Sequence, residues 1–301
     1  MSKSNLVLGF IGLGQMGMPL AIRLSEANYQ VLVFDSRLEE LSSDIARHNM
    51  QTCNSVGDVV SQVDIIFTCL PHEDAIRSVY FDDSGILEAA KSGLITCDIS
   101  TAPPDLVKEI YTRLVAKDIH HFDAPVFGGQ KDVVAGQAYF IFSGPPDIAI
   151  KVEPFLSVMA REFKYVGESG SASLMKILQN SLGYGYAIVT AEILTLCEQL
   201  GADPLQFARL VKEVKVMGWS KYFDLYAEDI VTGQESETGL LHIAAKDTHL
   251  LKTILDQNNF NAPVMEETAR LFKEASELGM DQEEFTAVTK LVERNKLKSK
   301  K

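Results

Sequence analysis

The stretch from Gly170 to Leu200 places the strongest constraint on how this chain can fold. It contains no proline and is apolar on nearly every side of a helix, so it can run as one helix of roughly 45 Å at about 1.5 Å per residue. A helix that is apolar all round is normally buried, and the polar ends of this one argue against a membrane span. We therefore predict a long buried helix that joins two parts of a globular chain.

Lys176 is the one charged residue between Glu168 and Glu192, and Asn180 lies one turn later on the same helix face. An ammonium group is costly to take out of water unless it is paired, and desolvation generally lowers the pKa of a lysine towards neutrality. Two interpretations follow. The side chain either buries its stem and extends its ammonium group to water, or it is tuned to exchange a proton.

The composition excludes several classes of protein. The 301 residues are 46% hydrophobic, enough for a large core and for two domains. A formal charge of −13 argues against binding to nucleic acid or to an anionic membrane, because both need a basic surface. The four cysteines are scattered and contain no C-x-x-C pair, so we expect free thiols and a cytoplasmic location.

A glycine motif near the start of the chain indicates a dinucleotide site. An apolar run over residues 5–11 leads into a turn and a helical stretch, and a second apolar run over residues 30–34 ends on Asp35. The turn is Gly12-Leu13-Gly14-Gln15-Met16-Gly17. This order of strand, glycine turn, helix, strand and acid is the context in which the motif is specific. The glycines permit a tight turn, close approach of a pyrophosphate and close packing of the helix.

The rest of the chain divides into two halves. Short apolar runs at residues 64–70, 94–98, 120–123, 137–142 and 163–166 predict further strands, with helical or loop segments between them. Later segments at residues 204–216, 220–230, 239–257, 263–278 and 281–294 have only helical patterns, before a lysine-rich tail at 297–301. We predict an α/β fold. A Rossmann-type, doubly wound, mostly parallel sheet spans residues 1–166, and an all-helical domain for substrate binding and oligomerisation spans residues 167–301.

Polar groups beyond the predicted strands are candidate ligand contacts. Ser100 and Thr101 follow one strand, and Gly128 and Gly129 follow another. Hydroxyl and backbone N–H donors of this kind suit a carboxylate or a nicotinamide ribose, although an ordinary turn has the same pattern. We predict no metal site, because the histidines offer no third ligand.

A dinucleotide site combined with Lys176 suggests hydride transfer at a carbon that bears oxygen. That reaction needs one side chain to take the hydroxyl proton on oxidation and to return it on reduction. A lysine can do both, whereas an arginine cannot. Asn180 would then orient the lysine or the substrate, unless it merely hydrogen-bonds to the backbone.

Six segments of the chain resemble the β-hydroxyacid dehydrogenases, which include 3-hydroxyisobutyrate dehydrogenases and reductases of glyoxylate, succinic semialdehyde and tartronate semialdehyde. The first part also resembles the NAD-binding domain of 6-phosphogluconate dehydrogenase. The segments are GFIGLGQMGMP at 9–19, CLP at 69–71, DIST at 98–101, DAPVFGG at 123–129, GESGSASLMKILQN at 167–180 and AKD at 245–247. The resemblance covers almost the whole chain.

The resemblance implies a role for each matching residue. Lys176 would be the general acid/base, assisted by Asn180, and the substrate would be a small hydroxyacid or semialdehyde. Ser100, Phe127, Gly128 and Gly129 would line the substrate site. The cofactor would contact Gly12, Leu13, Gly14, Gln15, Met16, Gly17, Asp35, Arg37, Leu70, Pro71, Thr101 and Lys246. The family also implies a homodimer or a homotetramer.

Phe127 departs from the family pattern, which usually has a serine there to hold the substrate carboxylate. A phenyl ring cannot donate that hydrogen bond, so the departure concerns the substrate more than the reaction. The alternative is a ring turned into the core, which would leave an ordinary site.

Asp35 predicts NAD(H) as the cofactor, because a carboxylate accepts from the adenosine 2′-hydroxyl and repels a 2′-phosphate. Relatives that use NADP tend to read Asn-Arg-Thr here, and this chain reads Asp35-Ser36-Arg37. Arg37 could still reach a phosphate, which leaves NADP(H) open.

Two other functions compete with this one. Imine reductases share the architecture, but they usually carry aspartate or tyrosine in place of Lys176. The second alternative is a sensor or scaffold that binds the cofactor without catalysis, since fold does not imply function.

Overall fold

The computed structural model describes residues 6–215, 218–233 and 239–294. The chain forms two compact units, Met1–Lys176 and Ile177–Lys301. Parts of the predicted segments lie outside the described residues, namely Asn5, Val216 and the lysine-rich tail.

The first unit is built on a six-stranded sheet in the order β3-β2-β1-β4-β5-β6. Its neighbouring strands all pair in parallel. The strands are β1 (Val7–Ile11), β2 (Gln30–Phe34), β3 (Gln51–Thr52), β4 (Ile65–Thr68), β5 (Ile95–Asp98) and β6 (His120–Asp123). The predicted doubly wound, parallel α/β class is confirmed.

Helices cover the sheet, so its strands are apolar on both faces. Successive side chains of β2 show the alternation of a strand: Val31 and Val33 lie in one buried cluster, and Leu32 lies in another. The helices of this unit are α1 (Gly17–Glu26), α2 (Leu38–Arg47), α3 (Val56–Val60), α4 (Glu73–Phe81), α5 (Ile86–Ala89), α6 (Pro104–Val115), α7 (Gln130–Val134) and α8 (Glu153–Met159). A 3₁₀ turn at Pro146–Lys151 precedes α8.

The last predicted strands form a separate small sheet rather than the edge of the large one. This sheet has the order β7-β8-β9 and contains β7 (Val126–Phe127), β8 (Tyr139–Phe142) and β9 (Glu162–Tyr165). β7 and β8 are antiparallel, whereas β8 and β9 are parallel. β3 and β7 are two residues long, too short for an alternating pattern to reveal them from sequence.

A long helix, α9 (Ser171–Gln199), runs across the boundary between the units at Lys176. The second unit continues with further helices and a 3₁₀ turn at Phe285–Val288. These helices are α10 (Pro204–Val214), α11 (Lys221–Thr232), α12 (Leu241–Gln257), α13 (Pro263–Glu277) and α14 (Thr289–Arg294). Their core centres on Tyr184, Phe272 and Phe285, whose rings contact one another.

The prediction that α9 is buried all round is wrong for one face. Eight of its large apolar side chains are exposed, and all but Leu174 recur every three or four residues, so these seven share one side of the helix. This apolar stripe of α9 consists of Met175, Leu178, Leu182, Tyr186, Val189, Ile193 and Leu196. Apolar composition shows that a helix face avoids water, but it does not show whether the same chain covers that face. None of the described helices is long and apolar enough to cross a membrane.

His121 makes the stability of the first unit depend on pH. Its side chain is fully buried, its Nδ1 lies 2.7 Å from Thr96 Oγ1, and burial lowers the pKa of His121 to about 3. The unfolded chain has a histidine pKa near 6.5, so between these values it binds a proton that the folded chain does not. This histidine therefore lowers the stability of the fold as the pH falls from about 6.5 towards 3.

We expect the free energy of unfolding to lose about 1.4 kcal/mol per pH unit through His121 in this window. His121→Leu should remove that contribution, whereas His249→Gln, at an exposed histidine, should keep it. Urea unfolding of the three proteins at pH 7 and pH 5 measures the difference. Equal pH dependence in wild type and His121→Leu would contradict the assignment.

Candidate active site

The glycine turn between β1 and α1 leaves no room for side chains at two positions. A Cβ on Gly12, which has a φ of +89°, would lie 2.3 Å from the carbonyl oxygen of Cys69, and one on Gly17 would lie 1.9 Å from the carbonyl oxygen of Gly12. A Cβ on Gly14 would meet no atom within 4 Å. The turn is therefore closed towards the protein at Gly12 and Gly17 and open at Gly14. This is the arrangement that a pyrophosphate above the start of α1 requires.

Asp35 holds the glycine turn and the start of the next segment together. Its buried carboxylate accepts from Leu13 N–H through Oδ2 at 2.7 Å and from Arg37 N–H through Oδ1 at 2.9 Å. Arg37 Nε lies 3.4 Å from the same Oδ1, so the guanidinium is paired with Asp35. A cleft of about 320 Å³ adjoins these groups, lined by residues 34–40. An acid at the end of the second strand is the group that contacts an adenosine ribose in dinucleotide sites of this type.

A second buried carboxylate ties the ends of β4 and β5 together. Asp98 Oδ1 accepts from Ser100 Oγ at 2.5 Å, from Ser100 N at 3.1 Å and from Thr68 Oγ1 at 2.8 Å. Burial raises the pKa of Asp98, while these hydrogen bonds from Ser100 and Thr68 oppose the rise. Ser100 Oγ in turn accepts from Leu70 N–H at 2.9 Å. The hydroxyl of Ser100 thus donates a hydrogen bond to Asp98 and holds the backbone of Leu70, ahead of the exposed Pro71.

Phe127 and Lys176 lie together within the first unit. The Lys176 Nζ atom is 4.4 Å from the centroid of the Phe127 ring, which also contacts the ring of Tyr139. An ammonium over an aromatic face is attracted by the ring quadrupole. Both side chains are half-buried, so Phe127 faces the lysine rather than the core.

The two glycines after Phe127 differ in what they can offer a ligand. Gly128 has a φ of +108°, which favours glycine, and a Cβ there would lie 2.8 Å from the Cβ of Asp132. Gly129 N–H donates to Asp132 Oδ2 at 2.8 Å. A substrate carboxylate would have to displace the exposed Asp132 side chain to use the Gly129 donor.

In the second unit, Asp247 organises Asn180. Its fully buried Oδ2 accepts from Asn180 Nδ2 at 2.7 Å and lies 3.4 Å from the Tyr184 hydroxyl. Lys246 Nζ lies 3.4 Å from Asp247 Oδ1, at the adjacent position of α12. A carboxylate can only accept, so it fixes which end of the Asn180 amide faces it. The carbonyl oxygen of that amide can therefore accept a hydrogen bond from another group.

Several of these partners cannot be found from the sequence alone. Asp98 and Asp247 occur in segments that match the family motifs, but the neighbouring sequence does not indicate which groups donate hydrogen bonds to them. Asp132 has no signal beyond its position three residues after Gly129.

Thr101 is half-buried just beyond β5, next to Ser100. Among the described residues, no group of three or more His, Cys, Asp or Glu side chains could hold a metal ion.

Two family descriptions match the chain nearly end to end. Residues 7–167 match the NAD binding domain of 6-phosphogluconate dehydrogenase, and residues 170–292 match the domain described as NAD-binding of NADP-dependent 3-hydroxyisobutyrate dehydrogenase. The chain belongs to the β-hydroxyacid dehydrogenase family. It is an oxidoreductase that binds a nicotinamide cofactor and acts on CH–OH groups.

Individual relatives are similar over their whole length. The chain is 28% identical to 2-(hydroxymethyl)glutarate dehydrogenase from Eubacterium barkeri, across 97% of this chain and 96% of that protein. It is 24% identical to 3-sulfolactaldehyde reductase from Escherichia coli, across 95% of each. Among solved structures, the 3-hydroxyisobutyrate dehydrogenase of Mycobacterium tuberculosis with L-serine has a TM-score of 0.86 at 23% identity. That comparison covers 95% of this chain and 99% of the other, and at this identity it establishes the fold.

Proposed function

We propose that this enzyme transfers a hydride between NAD(H) and a small β-hydroxyacid or the matching semialdehyde, with Lys176 as the general acid/base. The observation that carries the proposal is the half-buried Lys176, whose ammonium group lies over the Phe127 ring just beyond the start of α9. NAD⁺ supplies the hydride acceptor in the oxidative direction. Lys176 takes the hydroxyl proton in that direction and returns it in reduction.

Asn180 supports the lysine in this proposal. Because its amide nitrogen is held by Asp247, its carbonyl oxygen can accept from the substrate hydroxyl or from the ammonium group of Lys176 one turn earlier. Ser100, Gly128 and Phe127 line the substrate site, and Gly129 joins them once Asp132 is displaced.

The cofactor contacts in the proposal combine the glycine turn and Asp35 with the residues that the family resemblance implies. The turn from Gly12 to Gly17 takes the pyrophosphate, and Asp35 and Arg37 take the adenosine ribose. Leu70, Pro71, Thr101 and Lys246 contact the remainder. We assign residues 1–166 to a dinucleotide-binding Rossmann domain and residues 167–301 to an all-helical substrate and oligomerisation domain, a division supported by family matches that end at 167 and resume at 170.

A panel of compounds tests the reaction class. 3-Hydroxyisobutyrate, 2-(hydroxymethyl)glutarate, L-serine and succinic semialdehyde would be assayed with NAD(H) and NADP(H) by absorbance of the reduced cofactor. We expect turnover of at least one compound. Cofactor binding with no turnover of any hydroxyacid or semialdehyde would contradict the proposal, and reduction of cyclic imines instead would favour an imine reductase.

Lys176→Ala should lower kcat by roughly 10²–10⁴-fold, the usual contribution of a general acid/base, without loss of cofactor binding. Lys176→Arg should be nearly as damaging, because a guanidinium cannot release its proton. Lys273→Ala, at an exposed lysine of α13, is the matched control and should leave kcat unchanged. If Lys176→Ala kept more than about a tenth of wild-type kcat, the role of Lys176 would be wrong.

The enzyme should prefer NAD(H), because the Asp35 carboxylate accepts from a 2′-hydroxyl and repels a 2′-phosphate. Asp35→Asn removes the charge but keeps an acceptor for Leu13 N–H, so it should raise kcat/KM with NADPH relative to NADH. The ratio of kcat/KM for the two cofactors measures this. A wild-type preference for NADPH of about tenfold or more would refute the assignment.

Phe127 should select substrates that carry an apolar group. Loss of the family's serine donor costs about 1.5–3 kcal/mol, or roughly ten- to a hundredfold in affinity for a compact hydroxyacid. Phe127→Ser should raise kcat/KM for 3-hydroxyisobutyrate and lower it for analogues with larger apolar substituents. Phe127→Leu, which keeps apolar volume, should retain the wild-type order. Unchanged values for both classes in Phe127→Ser would place this residue outside the pocket.

We also propose a homodimer or homotetramer in the cytoplasm, with the apolar stripe of α9 at the subunit interface. Leu182→Glu should yield a smaller species in sedimentation velocity, whereas Leu210→Glu, at an exposed leucine outside the stripe, should not. A monomeric wild type would contradict the assembly. Recovery of the native protein from a membrane or secreted fraction would contradict the location.

A further inference from the structure

Asp123 is the last residue of β6, and its side chain is 1% exposed. Both carboxylate oxygens are used at the start of α9. Oδ1 accepts from Gly170 N–H at 2.9 Å, and Oδ2 accepts from Ser173 N–H at 2.9 Å. The residue thus joins the large sheet to the first turn of the long helix, across about fifty positions of sequence.

Ser143 completes this attachment from the small sheet. Its hydroxyl donates to Asp123 Oδ1 at 2.5 Å and accepts from Ala172 N–H at 3.0 Å. The backbones of Asp123 and Ser143 also pair, with N–H to carbonyl distances of 3.1 and 2.8 Å. Three N–H groups at the start of α9 are therefore bound by two side chains that are fixed to each other.

The first N–H groups of a helix have no partner within the helix, and a negative charge near them is favourable. Asp203 does this at the surface, at the start of α10, where one oxygen accepts from Leu205 N–H and Gln206 N–H. Asp123 differs because it is buried and both its oxygens accept. Burial raises the pKa of Asp123, and the hydrogen bonds from Gly170, Ser143 and Ser173 oppose the rise.

Lys176 follows Ser173 by three residues, within the same compact unit. At about 1.5 Å of rise and 100° of rotation per residue, the first turn of α9 sets both the height and the direction of the Lys176 side chain. A catalytic group displaced by about 1 Å can lose on the order of 10²-fold in rate.

We propose that Asp123 is a positioning residue for Lys176: it holds the first turn of α9 on the sheet and so fixes the ammonium group at the reacting oxygen. The inference rests on the proposed role of Lys176. Asp123 itself touches neither substrate nor cofactor in this assignment.

Asp123→Asn is the primary test. The variant keeps the size of the side chain but sets an NH₂ group against one of the helix N–H groups, so the first turn must shift. We expect kcat on the best compound of the panel to fall by about 10²-fold, while the Kd for NADH stays within about twofold. Asp203→Asn is the matched control, since it makes the same substitution at an aspartate cap elsewhere and should leave kcat unchanged.

A double mutant separates positioning from general damage. If Asp123 acts only through Lys176, Asp123→Asn should cause no further loss of single-turnover rate in the Lys176→Ala background. Ser143→Ala removes one helix acceptor and should give a smaller fall in kcat, which keeps the test available if Asp123→Asn does not fold. Wild-type kcat in both variants, or equal losses with and without Lys176, would overturn the positioning role. Wild-type kcat in Lys176→Ala would instead overturn the proposed function.

Discussion

A carboxylate buried at the end of a strand needs hydrogen-bond donors. In this protein the donors include backbone N–H groups of the segments that form the candidate site. Asp35 follows β2 and accepts hydrogen bonds from the N–H groups of Leu13 and Arg37. Asp98 is the last residue of β5 and accepts from Ser100 N–H. Asp123 is the last residue of β6 and accepts from N–H groups at the start of α9. Parallel strands end at one edge of a sheet, so the three carboxylates act on neighbouring loops. An unpaired buried carboxylate is very unfavourable, and each loop is thereby restricted to the conformations that supply its donors.

The residues of the candidate site could be proposed from the sequence because their signals each lie within a few positions. Gly12 and Gly17 belong to one six-residue motif between two apolar runs, and Lys176 is conspicuous as a lone charge in an apolar helix. The partners that hold these residues could not be predicted in the same way. Asp123 bonds to Ser173 across fifty positions and Asn180 to Asp247 across sixty-seven, and neither pairing has a local pattern.

Sequence predictions fail where periodicity carries too little information. β3 and β7 are each two residues long. The last predicted strands, β8 and β9, form a separate small sheet with β7. The apolar face of α9 was expected to be covered by the chain itself, but the pattern cannot distinguish burial within a chain from burial against a second copy. The availability of the Gly129 donor also depends on Asp132, whose side chain returns to it only in the folded turn.

The double use of Asp35 has a consequence for how cofactor preference could evolve. One carboxylate oxygen holds the Leu13 amide in the glycine turn, and in the proposed cofactor site the same group discriminates against a phosphorylated ribose. Replacement by a small neutral residue would relax the discrimination and would also leave that amide without its acceptor. Mutations at this position are therefore epistatic with the turn. A lineage that moves from one cofactor to the other through residue 35 needs either an asparagine-like intermediate or a prior change that stabilises the turn.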